Sequence, residues 1–287
     1  MCGKYGGSHD MCLPEKGKAC GDNAQNNIGF TAAEQADILK FHNEYRRKIA
    51  KGLETGAKVT IPPAANMRAL KWNDNLATVA QRWADQCEFK HDKMSNRLAP
   101  PFDTVGQNIF IAMSSKDTDE VPTKRGIDGW YSEVKDFASD VGSFSFTHET
   151  GHFTQLIWGD TAEVLTFCVS GNKQRNMKYS CTSDEVSFFY VVLSVLTGPS
   201  GELSMSCFRK PIVNILYLEE NYCEAFQLLG ITVGCGYTKW LDGADYTKMV
   251  VCNYGESGNW KGEPMYKQGD PCSKCPSGTN CDDGICA

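Results

Sequence analysis

The sequence predicts an α+β fold stabilised by disulfides, on three observations. Apolar residues recur at helical spacing in three segments, short apolar runs of strand type follow them, and fourteen cysteines crowd toward the ends of a 287-residue chain. A hydrophobic content of 41% against 22% charged residues is that of an ordinary globular protein.

Residues 1–30 are rich in glycine and cysteine and read as an irregular arm pinned through Cys2, Cys12 and Cys20. Thr31 and Glu34 form a capping box, in which hydroxyl and carboxylate satisfy amides that the first helical turn leaves unpaired. Ile38, Phe41, Tyr45 and Ile49 then make one apolar stripe, a helix ending near Gly52. Pro62 and Pro63 break the chain. A second helix starts near Asn73 with Leu76, Val79, Ala80, Trp83 and Cys87 on one face, so Cys87 can receive the arm. The run 104–113 fits a strand, and Ile127, Trp130, Val134 and Phe137 mark a third helix. Two strands over 233–237 and 247–254, joined by a turn through Asp242 and Gly243, each carry one cysteine, and Cys235 could pair with Cys252 across them. Cys272, Cys275, Cys281 and Cys286 lie in a Gly- and Pro-rich tail too poor in apolar residues to hold a core without cross-links. Cys272 and Cys275 form a CxxC, yet its spacing does not recur and no histidine is near, which ranks disulfides above zinc.

Cysteine usage this heavy places the chain in an oxidising, extracellular compartment. No basic n-region or apolar h-region follows Met1, so a signal peptide is not present in this chain. The longest apolar stretch, 186–196, is shorter than the ~18 residues a membrane span needs, and no transmembrane segment is expected. The formal charge of -6, from 35 acidic and 29 basic residues without long like-charge runs, leaves no footprint for nucleic acid.

Four separated segments carry the functional signal: His42-Asn43-Glu44-Tyr45-Arg46; Gly106-Gln107-Asn108; Gly151-His152-Phe153-Thr154-Gln155-Leu156-Ile157-Trp158; and Cys252-Asn253-Tyr254-Gly255 running to Gly258-Asn259-Trp260. In this order they closely resemble the superfamily of cysteine-rich secretory proteins, antigen 5 and plant pathogenesis-related 1 proteins. The third segment is the most specific; the fourth departs by carrying Glu256 where proline is usual. The resemblance covers 20–164 and 233–287. The arm and the stretch 31–54 look most like the arthropod antigen 5 branch of venoms and saliva, and the tail looks like the hinge of the cysteine-rich secretory proteins.

The resemblance implies a three-layer α-β-α sandwich with a disulfide-pinned N-terminal arm and a short cysteine-rich C-terminal tail. It implies the bridges Cys20–Cys87, Cys235–Cys252 and Cys2–Cys12, whereas the tail connectivity cannot be read from spacing. It also implies a cleft of two histidines and two acidic residues, falling by motif on His91, His152, Glu133 and, at the second acidic position, Gln107. Two neutral imidazoles and a carboxylate can form a three-ligand zinc site with one position left for water. A glutamine brings no charge and is a poor ligand for such a metal, so zinc in the cleft is expected to be conditional and no cofactor is required. His42, beside Phe41 on the buried stripe, is read as a structural hydrogen-bonder, and Glu149 as a nearby carboxylate of unassigned direction.

The functional expectation is a secreted, non-enzymatic venom- or saliva-type effector or allergen whose cleft binds metal, with a host protein as partner. One alternative is a carrier of a small lipid or sterol. The other is a metal-dependent hydrolase, a protease, with Glu133 or a histidine as base; against it, no serine or cysteine nucleophile stands in an activating context.

The expected organisation is an arm (1–30), a body (31–164 and 234–262), an insertion (165–233) and the tail (263–287). Removing 165–233 joins Glu163-Val164 to Gly234-Cys235 and restores an unbroken AEVGCGYTKW. The segment carries none of the family's motifs and has valine at both joins, which motivates the reading that it is translated unspliced intron.

Overall fold

Helix α1 (Ala32–Ala50) starts where the capping box places it: the Glu34 amide donates to the Thr31 hydroxyl, and the Thr31 amide donates to Glu34 at 2.7 Å. This is a computed structural model, describing residues 2–159 and 231–287 and short strands between 166 and 225. Helix α2 (Asp74–Ala84) is capped by the side chain of Asn73 and buries Leu76, Val79, Ala80 and Trp83. Cys87 is buried as expected, but it lies beyond the helix at a positive φ of 56°, in the turn that follows. Helix α3 (Thr123–Ser132) passes into a 3-10 turn, Glu133–Asp136, so Val134 and Phe137 are buried although the α-helix has ended. Helix α4 (Gly151–Ile157) is made by the most specific motif.

Four strands, β1 (Lys71–Trp72), β2 (Gly106–Ser114), β3 (Thr232–Asp242) and β4 (Asp245–Gly255), form a sheet in the order β1-β3-β4-β2, with β1 parallel to β3 and the other pairs antiparallel. β1 has only two residues and no periodicity to announce it. Alternation sorts the side chains. Val233, Cys235, Tyr237, Val250, Cys252 and Tyr254 pack with Ile38, Ile127 and Leu156, whereas Ile109, Trp240, Met249 and Val251 pack with Ala80, Trp83 and Ala84. The sheet is thereby covered by α2 on one face and by α1, α3 and α4 on the other, the expected α-β-α sandwich.

α2 reaches its face because β3 offers no side chain beneath it. A Cβ at Gly234 would lie 2.2 Å from the Ala77 amide nitrogen, and one at Gly236 2.3 Å from the α-carbon of Gln81. Thr232 and Val233, assigned above to the insertion, are taken up by the body strand as partners of Lys71 and Trp72.

Five bridges hold the described residues: Cys2–Cys12, Cys20–Cys87, Cys235–Cys252, Cys272–Cys281 and Cys275–Cys286. Cys20–Cys87, across 67 residues, ties the arm to the end of α2, a constraint on the unfolded chain of about 4 kcal/mol in the loop-entropy account. The tail's small hairpin docks on the body: the Cys286 amide donates to Met67 O at 2.7 Å, and Ile285 is fully buried.

The chain divides into two compact units, 1–161 with 229–287, and 162–228. The second contains two three-stranded sheets, one of Thr166–Ser170, Asn221–Ala225 and Asn214–Leu218, the other of Lys178–Ser180, Leu203–Ser206 and Leu196–Thr197. The cysteines at 168, 181, 207 and 223 have side chains outside the described residues.

Candidate functional site

The HNxxR segment is scaffolding. Asn43 exchanges hydrogen bonds with Leu70, donating from Nδ2 at 3.2 Å and accepting the Leu70 amide at 2.8 Å, which fixes the approach to β1. Arg46 is fully buried and donates from Nε to Arg68 O and from Nη1 to Leu156 O and Trp158 O, both at 2.9 Å, answering carbonyls that the C-terminal turn of α4 leaves open. His42 is also fully buried, with Nδ1 2.8 Å from Ile38 O and Nε2 2.9 Å from Tyr254 Oη. Burial pushes its pKa down to about 4, Arg46 adding to the fall and the Ile38 hydrogen bond opposing it, so the ring is neutral. Nδ1–H therefore donates to Ile38, and Nε2 accepts the Tyr254 hydroxyl proton. This is the structural role read from its place on the stripe.

Around this frame the structure brings His91, Gln107, Glu133 and His152 together. The imidazole centroids of His91 and His152 stand 6.1 Å apart. His152, half-buried in the first turn of α4, has Nδ1 2.6 Å from Glu133 Oε1. The other carboxylate oxygen of Glu133 accepts the amides of His152 (2.9 Å) and Phe153 (3.0 Å). One side chain thus caps the start of α4 and orients the ring that α4 carries. Trp130 lies beside His152, centroids 6.2 Å apart and planes within 22°, and the His152 carbonyl accepts from Asn108 Nδ2.

His91 is exposed in the loop after α2, its Nδ1 2.9 Å from Oε1 of the buried Gln107. Gln107 Nε2 donates to Asn253 Oδ1 at 3.2 Å, with the amide oxygen facing His91. His91 then donates from Nδ1–H, and its Nε2 keeps a lone pair. Desolvation of the ring holds its pKa below the ordinary imidazole value, aided by Arg97 and His152 and opposed by the Gln107 hydrogen bond. Glu149 is exposed in the 3-10 turn before α4.

The fourth motif segment docks α4. Gly258 donates its amide to Gln155 Oε1, and Asn259 bonds both Thr154 Oγ1 (2.6 Å) and Gly151 O (3.0 Å). Glu256, where the resemblance leads one to expect proline, accepts the amides of Asp103 and Thr104 and the Thr104 hydroxyl, pinning the loop that enters β2.

The motif reading gives no part in the site to three residues. Asn253 pairs in register with Gln107 on the neighbouring strand, a relation that strand pairing alone makes visible. Arg97 and Asp92 form a buried ion pair behind His91, and charged residues in an irregular loop give no local sign of burial. Among the described residues, Cys272, Cys275 and Cys286 also lie within 4.8 Å of one another as metal-type ligands, but each sulfur is in a bridge and none is a thiolate.

The chain belongs to the cysteine-rich secretory protein family, CAP, whose model matches residues 39–193. Within the family it is similar to venom allergen 5 of the wasp Dolichovespula arenaria, 30% identical over 267 residues covering 91% of this chain and 95% of that one. Venom allergen 5.01 of Dolichovespula maculata is 32% identical, covering 87% and 78%. Venom allergen 5 of Vespula pensylvanica reaches 42% over 163 residues, covering 55% and 78%. Two solved structures share the fold at 21% identity, each covering 91% of this chain and 98% of its own: NaASP2 with Zn2+ at a TM-score of 0.56, and BmVAL-1 at 0.55.

Proposed function

We propose that this antigen 5-like protein is a secreted, non-enzymatic effector of the venom or saliva type, acting on a host protein, whose cleft takes a zinc ion at His91 and His152, with Glu133 as the outer partner of His152. The carrying observation is that both rings have Nδ1 tied to an oxygen, of Gln107 and of Glu133, which leaves both Nε2 atoms as donors. That tie is the arrangement by which outer-shell oxygens fix the tautomer and raise the basicity of metal-binding imidazoles. Two imidazole nitrogens are donors of the type zinc takes. His91 and His152 would hold it, Glu133 orients His152 and strengthens its donor, and zinc would supply Lewis acidity to water in its open positions. Gln107 adds no charge, so affinity is weaker than in a cleft with two carboxylates and occupancy follows the free zinc level.

Secretion is supported by the five bridges and by the venom relatives, and no helix among the described residues is long and apolar enough to cross a membrane. The non-enzymatic reading is supported by the likeness to venom allergen 5.

Zinc titration by calorimetry on the full chain, beside His91→Ala and His152→Ala, tests the cleft. Saturable heat lost in both variants is expected; heat that survives both would refute it. Peptide turnover abolished by a chelator would promote the hydrolase, and lipid or sterol recovered in stoichiometric amount from the purified protein would promote the carrier.

A further inference from the structure

The N-terminal arm reaches the back of the cleft. Its loop, closed by Cys2–Cys12, carries His9 and Asp10, each 1% exposed. His9 Nδ1 accepts the Met11 amide at 3.1 Å, so Nε2–H donates to Leu98 O at 2.7 Å, which seats the loop beside Arg97. Asp10 is buried there with Oδ2 lacking a hydrogen-bond partner, and its carboxyl interacts with the charge of Arg97.

Arg97, 7% exposed, links that loop to the cleft. Nε donates to Val105 O at 2.8 Å; Nη1 meets the Asp92 carboxylate and carbonyl and lies 3.4 Å from Gln107 Oε1, the atom that receives the His91 proton. A primary amide can turn over at little steric cost, because its oxygen and nitrogen are nearly the same size. Turned over, Gln107 would present N–H to His91 and force the proton to the ring's other nitrogen. Asn253 accepts Gln107 Nε2 at one end, but its own Nδ2 lacks a hydrogen-bond partner, so the two amides can turn over together. The guanidinium at the other end opposes this, since a cation there tolerates only the oxygen. A buried guanidinium needs counter-charge to stay in place. Asp92 supplies it from the loop and Asp10 from the arm.

We propose that Arg97 is a positioning residue of the cleft, anchored by the arm: neutralised by Asp92 and Asp10, it holds Gln107 Oε1 toward His91, keeping the proton on Nδ1 and the Nε2 lone pair open. The inference rests on the metal-cleft reading for its consequence, zinc affinity, but not for its geometry. The arm is then a working part of the site as well as a covalent staple.

The test uses the full chain with Arg97→Gln and Asp10→Asn. The His91 tautomer is read at pH 8 from long-range 15N–1H spectra, and zinc affinity by calorimetry. The unaltered protein is expected to show His91 protonated on Nδ1. Arg97→Gln is expected to move population to the Nε2–H form and to weaken zinc binding about tenfold, the lower end of what loss of an outer-shell partner does. Asp10→Asn keeps the shape of the side chain and should move both readouts in the same direction by less. A folded Arg97→Gln protein with unchanged tautomer overturns the proposal whatever zinc does. Should that variant fail to fold, an unchanged tautomer in Asp10→Asn overturns it instead. Absence of zinc binding in the unaltered protein sinks the metal cleft, while the tautomer measurement still decides the role of Arg97.

Discussion

His42 offers a test of the buried frame through pH alone. The ring is fully enclosed between Ile38 O and Tyr254 Oη, and Tyr254 Oη also receives Asn108 Nδ2 at 3.3 Å. A second proton on this ring would meet a hydroxyl already donating to it, in a site that desolvates the charge and lies near Arg46. The pKa falls from 6.5 to about 4 in the folded chain. A base whose folded pKa is depressed favours folding when it is neutral. The contribution is therefore complete above pH 6.5 and is lost as pH falls from 6.5 through about 4. At about 1.4 kcal/mol for each pH unit, the loss approaches about 3 kcal/mol, a large share of the ~5–15 kcal/mol that holds a typical domain together. Asp10 runs the other way, because burial pushes its carboxyl up to about 6, so the raw pH profile mixes two opposed slopes. Urea unfolding of the unaltered protein and of His42→Gln, taken at intervals from pH 7.5 to 4, separates them: groups that titrate alike in both proteins cancel in the difference. The stability advantage of the unaltered protein should shrink by ~3 kcal/mol across that window. A difference that stays flat would show that His42 is not buried as a neutral link between α1 and β4.

Gly234→Ala should destabilise by at least about 3 kcal/mol, because its Cβ would enter the backbone of α2, 2.2 Å from the Ala77 nitrogen and 2.4 Å from Asn73 O. A loss under about 1 kcal/mol in urea unfolding would contradict the close approach of helix and strand. Deleting 165–233 and joining Val164 to Gly234 should leave the body folded but somewhat less stable, since Val164 then supplies the valine that Val233 places, fully buried, opposite Trp72, while the buried Ile231 is lost. A body that no longer folds would make the segment part of the structure, and a spliced transcript that still encodes it would eliminate the intron reading.

How much of the fold is legible in the sequence follows the range of each signal. The start of α1 is decided by two side chains three residues apart, and both stand in plain view. The Cys235–Cys252 pair faces itself across adjacent strands, so the strand and turn pattern already places it. Cys87 reads as part of a helical face because it continues the stripe of Val79, Ala80 and Trp83, whereas the helix stops at Ala84 and the chain turns left-handed at Cys87. β1 is invisible because two residues have no period. α4, at seven residues, is also too short to show one, and only its motif marks it. His91, His152, Glu133 and Gln107 are found by motif; Arg97, Asp92 and Asp10 are not, since their burial arises from the arm folding onto a distant loop. No local pattern distinguishes a charge that will be covered from one that stays in water.

The two halves of the cleft are held by unlike means. His152 is fixed by a carboxylate that also caps the helix bearing it, so disturbing Glu133 disturbs α4 at the same time. His91 is fixed through a neutral amide, backed by a guanidinium whose counter-charge comes partly from the arm. The first arrangement is local and strong, because a charged acceptor meets three N–H groups within two residues. The second runs across three separate stretches of chain and depends on the arm staying seated. Loosening the Cys2–Cys12 loop should therefore change the donor state of His91 before it changes that of His152, which makes the His91 side the one through which the arm can tune the cleft.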